Sequence, residues 1–256
     1  TLNKEIIYGK LDNNFTYYIK QNAKPKKKAT IHLILKAGSL MEDDDQLGIA
    51  HLIEHMVFNG TKSYPKNEID EYLNSIGLQI GSDYNATTGF EKTTYKMKIP
   101  TDDISKLEKG LHILSEMVGY ATLDDSSFEK ERKIVEEEWR SDLGKSKRLY
   151  EGYKEYFYKD SKFKDRQPIG DIEIIKNFSY DTARRFYDDW YRPDLMGIIV
   201  VGDFDPSHVK KIVEKYFSEL ENKNNRPMPN TLLPKYNDTI FLNQSDEEQT
   251  NILFTI

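Results

Sequence analysis

The chain has 256 residues, a formal net charge of −6 and no cysteine. That length can bury a full core. The missing cysteines remove disulfides, thiolate metal ligands and a cysteine nucleophile, and the mild, mixed charge offers no field directed at nucleic acid. No apolar run approaches a membrane span, and the first residues carry no signal-peptide pattern.

Strand-like alternation occupies residues 5–11, 15–20 and 30–37, with Asn13-Asn14 as one turn and the Lys24 to Lys28 run as a solvated hairpin loop. Gly38 and Ser39 end the third strand, an acidic loop follows at 42–45, and a largely apolar helix begins near Gln46. A short helix is expected at 67–76, stopped by Gly77. Two further strands follow at 78–84 and 93–99, around a polar loop that holds Asn85, Thr87, Thr88 and Gly89. Ile104, Leu107, Leu111, Leu114 and Val118 recur at helical spacing, which predicts a helix over 102–120. Asp124-Asp125 opens another helix reaching about Leu143, since acidic residues suit a helix N-terminus.

Beyond it lie a helical stretch whose aromatic stripe (Leu149, Tyr153, Tyr156, Phe157) reads as core, a loop around Pro168-Ile169-Gly170, and a helix over 180–190. A buried strand at 197–204, a helix from Asp205-Pro206 to about Leu220 and a polar, proline-containing linker over 222–234 complete the order. Thr1 in place of an initiator Met and a strand pattern still running at 250–256 read as a chain trimmed at both ends. Early hairpins mixed with helices, without strict alternation, indicate an α+β fold with an antiparallel-rich mixed sheet flanked by helices.

The chemistry concentrates in His51-Leu52-Ile53-Glu54-His55. Helical residues four apart are neighbours, so His51 and His55 can reach one divalent ion while Glu54 stands beside it. The order His-x-x-Glu-His reverses the commoner zinc-peptidase pattern and is the inverzincin signature. Gly48, Ile49, Ala50, Leu52, Ile53, Met56, Val57 and Phe58 make the rest of this helix apolar, and buried histidines and a glutamate need partners. A hydrolytic zinc takes three protein ligands. Glu131 and Glu138, seven apart on the acidic helix, return to nearly one face beside the apolar residues Phe128, Val135 and Trp139, and either can supply the third.

The run from Gly48 to Thr61, the Asn85-Ala86-Thr87-Thr88 segment, the block from Glu131 to Glu138, Pro168-Ile169-Gly170, and Trp190 to Asp194 followed by Val200 to Phe204 together resemble the inverzincin peptidases. That family, M16, includes insulin-degrading enzyme, pitrilysin, the mitochondrial processing peptidase and the bacterial PqqL-like zinc proteases. The resemblance implies the family's metallopeptidase (LuxS/MPP-like) domain, a zinc cofactor and hydrolysis of peptides or unfolded protein. Position by position it makes His51, His55 and Glu138 the zinc ligands, Glu54 the general base, Glu131 an outer carboxylate that orients the site, and Asn85 a contact to the substrate backbone.

The same resemblance divides the chain into a zinc-binding peptidase domain over 1–229 and a linker with the first strands of a following domain over 230–256. It also implies a C-terminal half or homologous subunit that completes a closed chamber. The alternative is a family member without catalysis, serving as a partner or scaffold subunit. The Lys-, Asn- and Ile-rich composition joined to a PqqL-like pattern suggests the bacterial periplasm or envelope, with the cytoplasm as the alternative.

Overall fold

The computed structural model describes residues 3–231, 241–246 and 249–255, the side chains of 145, 146, 149, 153 and 241–255 excepted. Six strands form one mixed sheet: β1 (Ile7–Lys10), β2 (Thr16–Gln21), β3 (Lys28–Leu35), β4 (Tyr84–Thr88), β5 (Thr93–Pro100) and β6 (Met196–Gly202), in the order β1-β2-β6-β3-β5-β4. Only β2 and β6 run parallel; the remaining neighbours pair antiparallel. Residues alternate in burial along β3 and β6, so one face of the sheet packs and the other stays open to solvent. A separate antiparallel pair, β7 (Phe241–Asp246) and β8 (Gln249–Thr255), lies near the end of the chain.

The described α-helices are α1 (Ile49–Met56), α2 (Glu68–Ser75), α3 (Ile104–Gly119), α4 (Asp125–Ser141), α5 (Lys145–Phe157), α6 (Ile172–Asn177), α7 (Tyr180–Trp190) and α8 (Pro206–Phe217). The α3 stripe behaves as its spacing predicts, with Leu107, Leu111, Leu114 and Val118 all buried. α3 lies against β5, α8 against β2, and α1 against both β4 and α4. That last contact brings the histidine helix beside the acidic helix.

Several expectations are corrected. Residues 78–83 are not a strand, and the stretch read as a polar loop supplies most of the edge strand β4, which starts at Tyr84. Gly77 and Gly81 hold left-handed φ values of 82° and 86°, and the amides of Asp83 and Tyr84 both return to the Gln79 carbonyl, which curls the chain before it can extend. The β-branched pair Thr87 and Thr88 then aligns with Thr94 and Thr93 of β5. α1 starts at Ile49 rather than near Gln46 because Gly48, at φ 97°, turns the chain into it. Helix α6 is absent from the sequence reading, although Asp171, whose carboxylate accepts from the amides of Glu173 and Ile174, is an N-cap signal.

The aromatic stripe of α5 is only partly core. Tyr156 is 48% exposed, while the side chains of Leu149 and Tyr153 lie outside the described residues. Within the linker, residues 222–231 have no regular structure but are fastened: Arg226 reaches Asp43 and Asp189, and the Asn224 amide reaches Asp189. The linker's last residues, 232–234, lie outside the described residues.

Asp124 caps α4, accepting from the Ser127 amide at 3.0 Å and from the Ser126 and Ser127 hydroxyls at 2.6 and 2.7 Å. Partial burial pushes its carboxyl up, but these bonds outweigh burial and hold it at about 2 against an ordinary 3.8. Asp124→Ala should therefore cost about 1 kcal/mol in urea unfolding at neutral pH. Because the folded value is the depressed one, the stabilisation is full above 3.8 and is lost as pH falls through about 2. Wild type and variant should accordingly converge in acid. A difference unchanged down to about pH 2 would show that the cap does not act through its charge.

Candidate metal centre

α1 is two turns of core helix with a polar seam. Ile49, Ala50, Leu52, Ile53 and Met56 are buried, so packing fixes the helix while His51, Glu54 and His55 emerge together on the side facing α4 and β4. Gly48 has no side chain to cap the helix. Glu42, fully buried, does so from six residues upstream, its Oε1 accepting from the amides of Gly48 (3.0 Å) and Ala50 (2.8 Å). Burial pushes the Glu42 carboxyl well above its ordinary range, against those two bonds and the charge of Arg166.

The imidazoles converge. Nε2 of His51 and Nε2 of His55 are 3.3 Å apart, and Glu138 Oε2 lies 3.6 Å from the first and 3.8 Å from the second. One donor atom from each of the three residues falls within 4.8 Å of the others. Two nitrogens each about 2.0–2.1 Å from one tetrahedral zinc stand roughly 3.3 Å apart, so the imidazole spacing already suits such an ion. The donor set, two imidazoles and a carboxylate, is that of hydrolytic zinc sites with one position left for water. Burial and the neighbouring His55 charge lower His51 to about 4, which keeps it neutral and able to ligate.

Glu131 stands behind the cluster rather than in it. Its side chain is 6% exposed against 44% for Glu138, and His55, with its proton on Nδ1, donates to Glu131 Oε2 at 3.2 Å. That bond turns the lone pair of Nε2 toward the cluster. Asn59 donates to Glu131 Oε1 at 2.9 Å, and Lys130 lies 3.6 Å from the same oxygen. Burial opposes ionisation of Glu131, but the His55 and Asn59 bonds and the charges of His55 and Lys130 prevail and lower its pKa. For His55 burial likewise disfavours the cation, yet the Glu131 bond and the fields of Glu138, Glu54 and Glu131 leave its pKa raised.

Glu54, 7% exposed, accepts a 2.6 Å hydrogen bond at Oε2 from the Thr88 hydroxyl. Burial raises its pKa; the Thr88 bond and the nearby His55 charge offset part of that rise, and Glu138 adds to it. His51, Glu54, His55, Glu131 and Glu138 line one cleft of about 490 Å³, whose walls include Phe58, Asp70, Ile80, Ala86 and Ile134. Asn85 lines it as well, exposed on β4, but its side chain contacts its own neighbour, accepting from the Ala86 amide, rather than the His51–His55–Glu138 set. Sequence reasoning missed Thr88, Asn59 and Glu42. Asn59, four residues beyond His55, had a helical-spacing signal; Glu42 had none.

The family model for insulinase (Peptidase family M16) matches residues 17–156, and that for the Peptidase M16 inactive domain matches residues 177–256. The chain is 40% identical over 230 residues to a probable zinc protease PqqL of Haemophilus influenzae, covering 90% of this chain and 24% of that protein. Among solved structures it resembles the periplasmic protease PqqL from Escherichia coli, with a TM-score of 0.85 and 33% identity over 92% of this chain and 26% of that one. The first half of the same E. coli protease matches with a TM-score of 0.84 and 34% identity, over 91% of this chain and 49% of that one. The chain thus spans about a quarter of the length of these PqqL relatives.

The two acidic positions of α4 can be separated by titrating the metal-free protein with Zn2+ against a competing chelator. Glu138→Gln should weaken binding more than Glu131→Gln, for which a loss of about 10- to 100-fold is expected of a partner that orients a ligand. The reverse ranking would exchange the two roles.

Proposed function

Because the chain belongs to the M16 insulinase family of peptidases, we propose that it carries the zinc site of an endopeptidase that hydrolyses peptides or unfolded protein. The observation that carries this reading is the convergence of His51, His55 and Glu138 beside Glu54 in a cleft bordered by an edge strand. The family relatives are named zinc proteases. The rival reading, a non-catalytic scaffold subunit, is disfavoured by the presence of all four side chains.

In this proposal His51, His55 and Glu138 hold the zinc, which when bound polarises the scissile carbonyl and acidifies a water. Glu54 takes the proton of the attacking water and later delivers it to the leaving amine. Its burial suits both tasks, since a carboxyl raised above its usual range holds a proton and releases it to a stronger base. Glu131 keeps the His55 ring turned and its Nδ1 protonated. Among the described residues β4 pairs as a strand with β5 alone, and beyond Tyr84, which bridges back to residues 80–81, its outer edge can take an extended peptide as a further strand beside Asn85, giving affinity with little sequence preference.

We further propose the division into a peptidase domain over 1–229 and the start of a following domain over 230–256. Its support is that β6 lies between β2 and β3, while β7 and β8 pair with each other. The remainder of the parent protein would close the chamber over the cleft and hold the substrate.

Two outcomes test the proposal. In the parent protein, Glu54→Gln should retain stoichiometric zinc and lose chelator-sensitive cleavage of a quenched peptide, whereas His55→Ala should lose both; full activity in the first or full zinc in the second would defeat the assignment. The present chain alone should bind zinc yet turn over about a hundredfold or more below the chain supplemented with its C-terminal remainder, the cost of losing one donor to the attacked carbonyl. Equal turnover would make the fragment self-sufficient.

A further inference from the structure

Thr88 is the last residue of β4, and its hydroxyl is the side-chain group bonded to Glu54, at 2.6 Å from Oε2. An ionised carboxylate only accepts, so Thr88 is the donor. Its neighbour Thr93, 3.4 Å away, spends its own hydrogen on the Ala37 carbonyl at 2.9 Å. The two hydroxyl hydrogens therefore have separate destinations, and that of Thr88 goes to Glu54.

The donor is also held from behind. The turn after β4 closes with Gly89 N–H to the Lys92 carbonyl at 2.9 Å, and it is clamped to the segment after β3 by the amides of Ser39 (3.1 Å, to Gly89) and Leu40 (2.9 Å, to Phe90). A Cβ on Gly38 would fall 2.1 Å from the Gly89 carbonyl oxygen, so the close approach requires glycine there. Backbone bonds thus fix where the Thr88 hydroxyl stands. Glu54, by contrast, is a long side chain with several rotatable bonds, and it is held from β4 first by the Thr88 hydroxyl and, less strongly, by the Thr88 backbone amide.

Resting on the reading of Glu54 as the base, we infer that Thr88 is its positioning residue: the Thr88 hydroxyl anchors Oε2, so that the proton exchanged with water and leaving amine is carried at Oε1. An unanchored carboxylate would spend time in orientations unable to reach that water, which lowers turnover without changing metal or substrate affinity.

The test uses the zinc-loaded parent protein and the near-isosteric Thr88→Val, with Thr88→Ser as the conservative variant. Thr88→Val should lower kcat about 10- to 100-fold, with KM and zinc content unchanged, and Thr88→Ser should restore most of the loss. In crystals of Thr88→Val the Glu54 carboxylate should leave its position over β4.

A double-mutant comparison separates action through Glu54 from any general effect on the strand. On the Glu54→Gln background, Thr88→Val should cost nothing further in residual turnover or in peptide affinity. The same fold-loss on both backgrounds, a rise in KM, or an unmoved Glu54 in the Thr88→Val crystals would overturn the inference. Full activity of Glu54→Gln itself would instead reject the base assignment, and the role of Thr88 with it.

Discussion

Three polar side chains on two turns of core helix set the terms for the rest of this molecule. α1 must be buried to be rigid, because Ile49, Ala50, Leu52, Ile53 and Met56 supply its packing. Burial in turn desolvates His51, Glu54 and His55, and a desolvated polar group is costly unless something bonds to it. Most of those partners come from the surrounding elements: Glu131 and Glu138 from α4 and Thr88 from β4, with Asn59, in the turn beyond α1, bonding Glu131 in turn, while Nδ1 of His51 is buried without a hydrogen-bond partner among the described residues.

The same demand explains the ends of the two helices that meet at the site. α1 begins on a glycine whose left-handed conformation leaves its first amides uncapped locally, and Glu42 fills that place from the preceding acidic loop. α4 begins on Asp124 and is tied down about two turns later by Arg132, which donates to the carbonyls of Ile175 and Phe178 and lies 4.0 Å from the Phe178 ring. Because Arg132 follows Glu131 directly, anchoring the one to α6 fixes the azimuth of the helix and hence the direction of the other. These buried contacts matter more than the many exposed ion pairs, which contribute little individually.

The cleft combines fixed and open parts. Its floor is the capped and packed helix pair; its rim is β4, bonded to β5 on one side and carrying Asn85 at its exposed edge. Two apolar side chains that the fold leaves outside the core, Ile80 at 71% and Ile134 at 38% exposure, both stand on the cleft walls. They add exposed apolar surface to a cleft otherwise lined largely by charged and polar side chains.

Sequence alone determined what periodicity and spacing encode. The four-residue interval between His51 and His55 sets two imidazoles on one helix face, the stripe of α3 marks its buried side, and Asp124 marks where α4 starts. Those features are local, and so is the physics behind them. The tertiary structure decided which of two glutamates seven residues apart meets the imidazoles and which supports one from behind, because that depends on where α4 lies against α1. It also moved the edge strand from 78–84 to Tyr84–Thr88, since the turn after Gly77 is built from left-handed glycines and bonds to Gln79 that apolar alternation does not reveal. Glu42 and Thr88 were invisible for the same reason: each meets its partner through a separate element, and only packing brings a buried carboxylate to a helix end or a hydroxyl to Glu54.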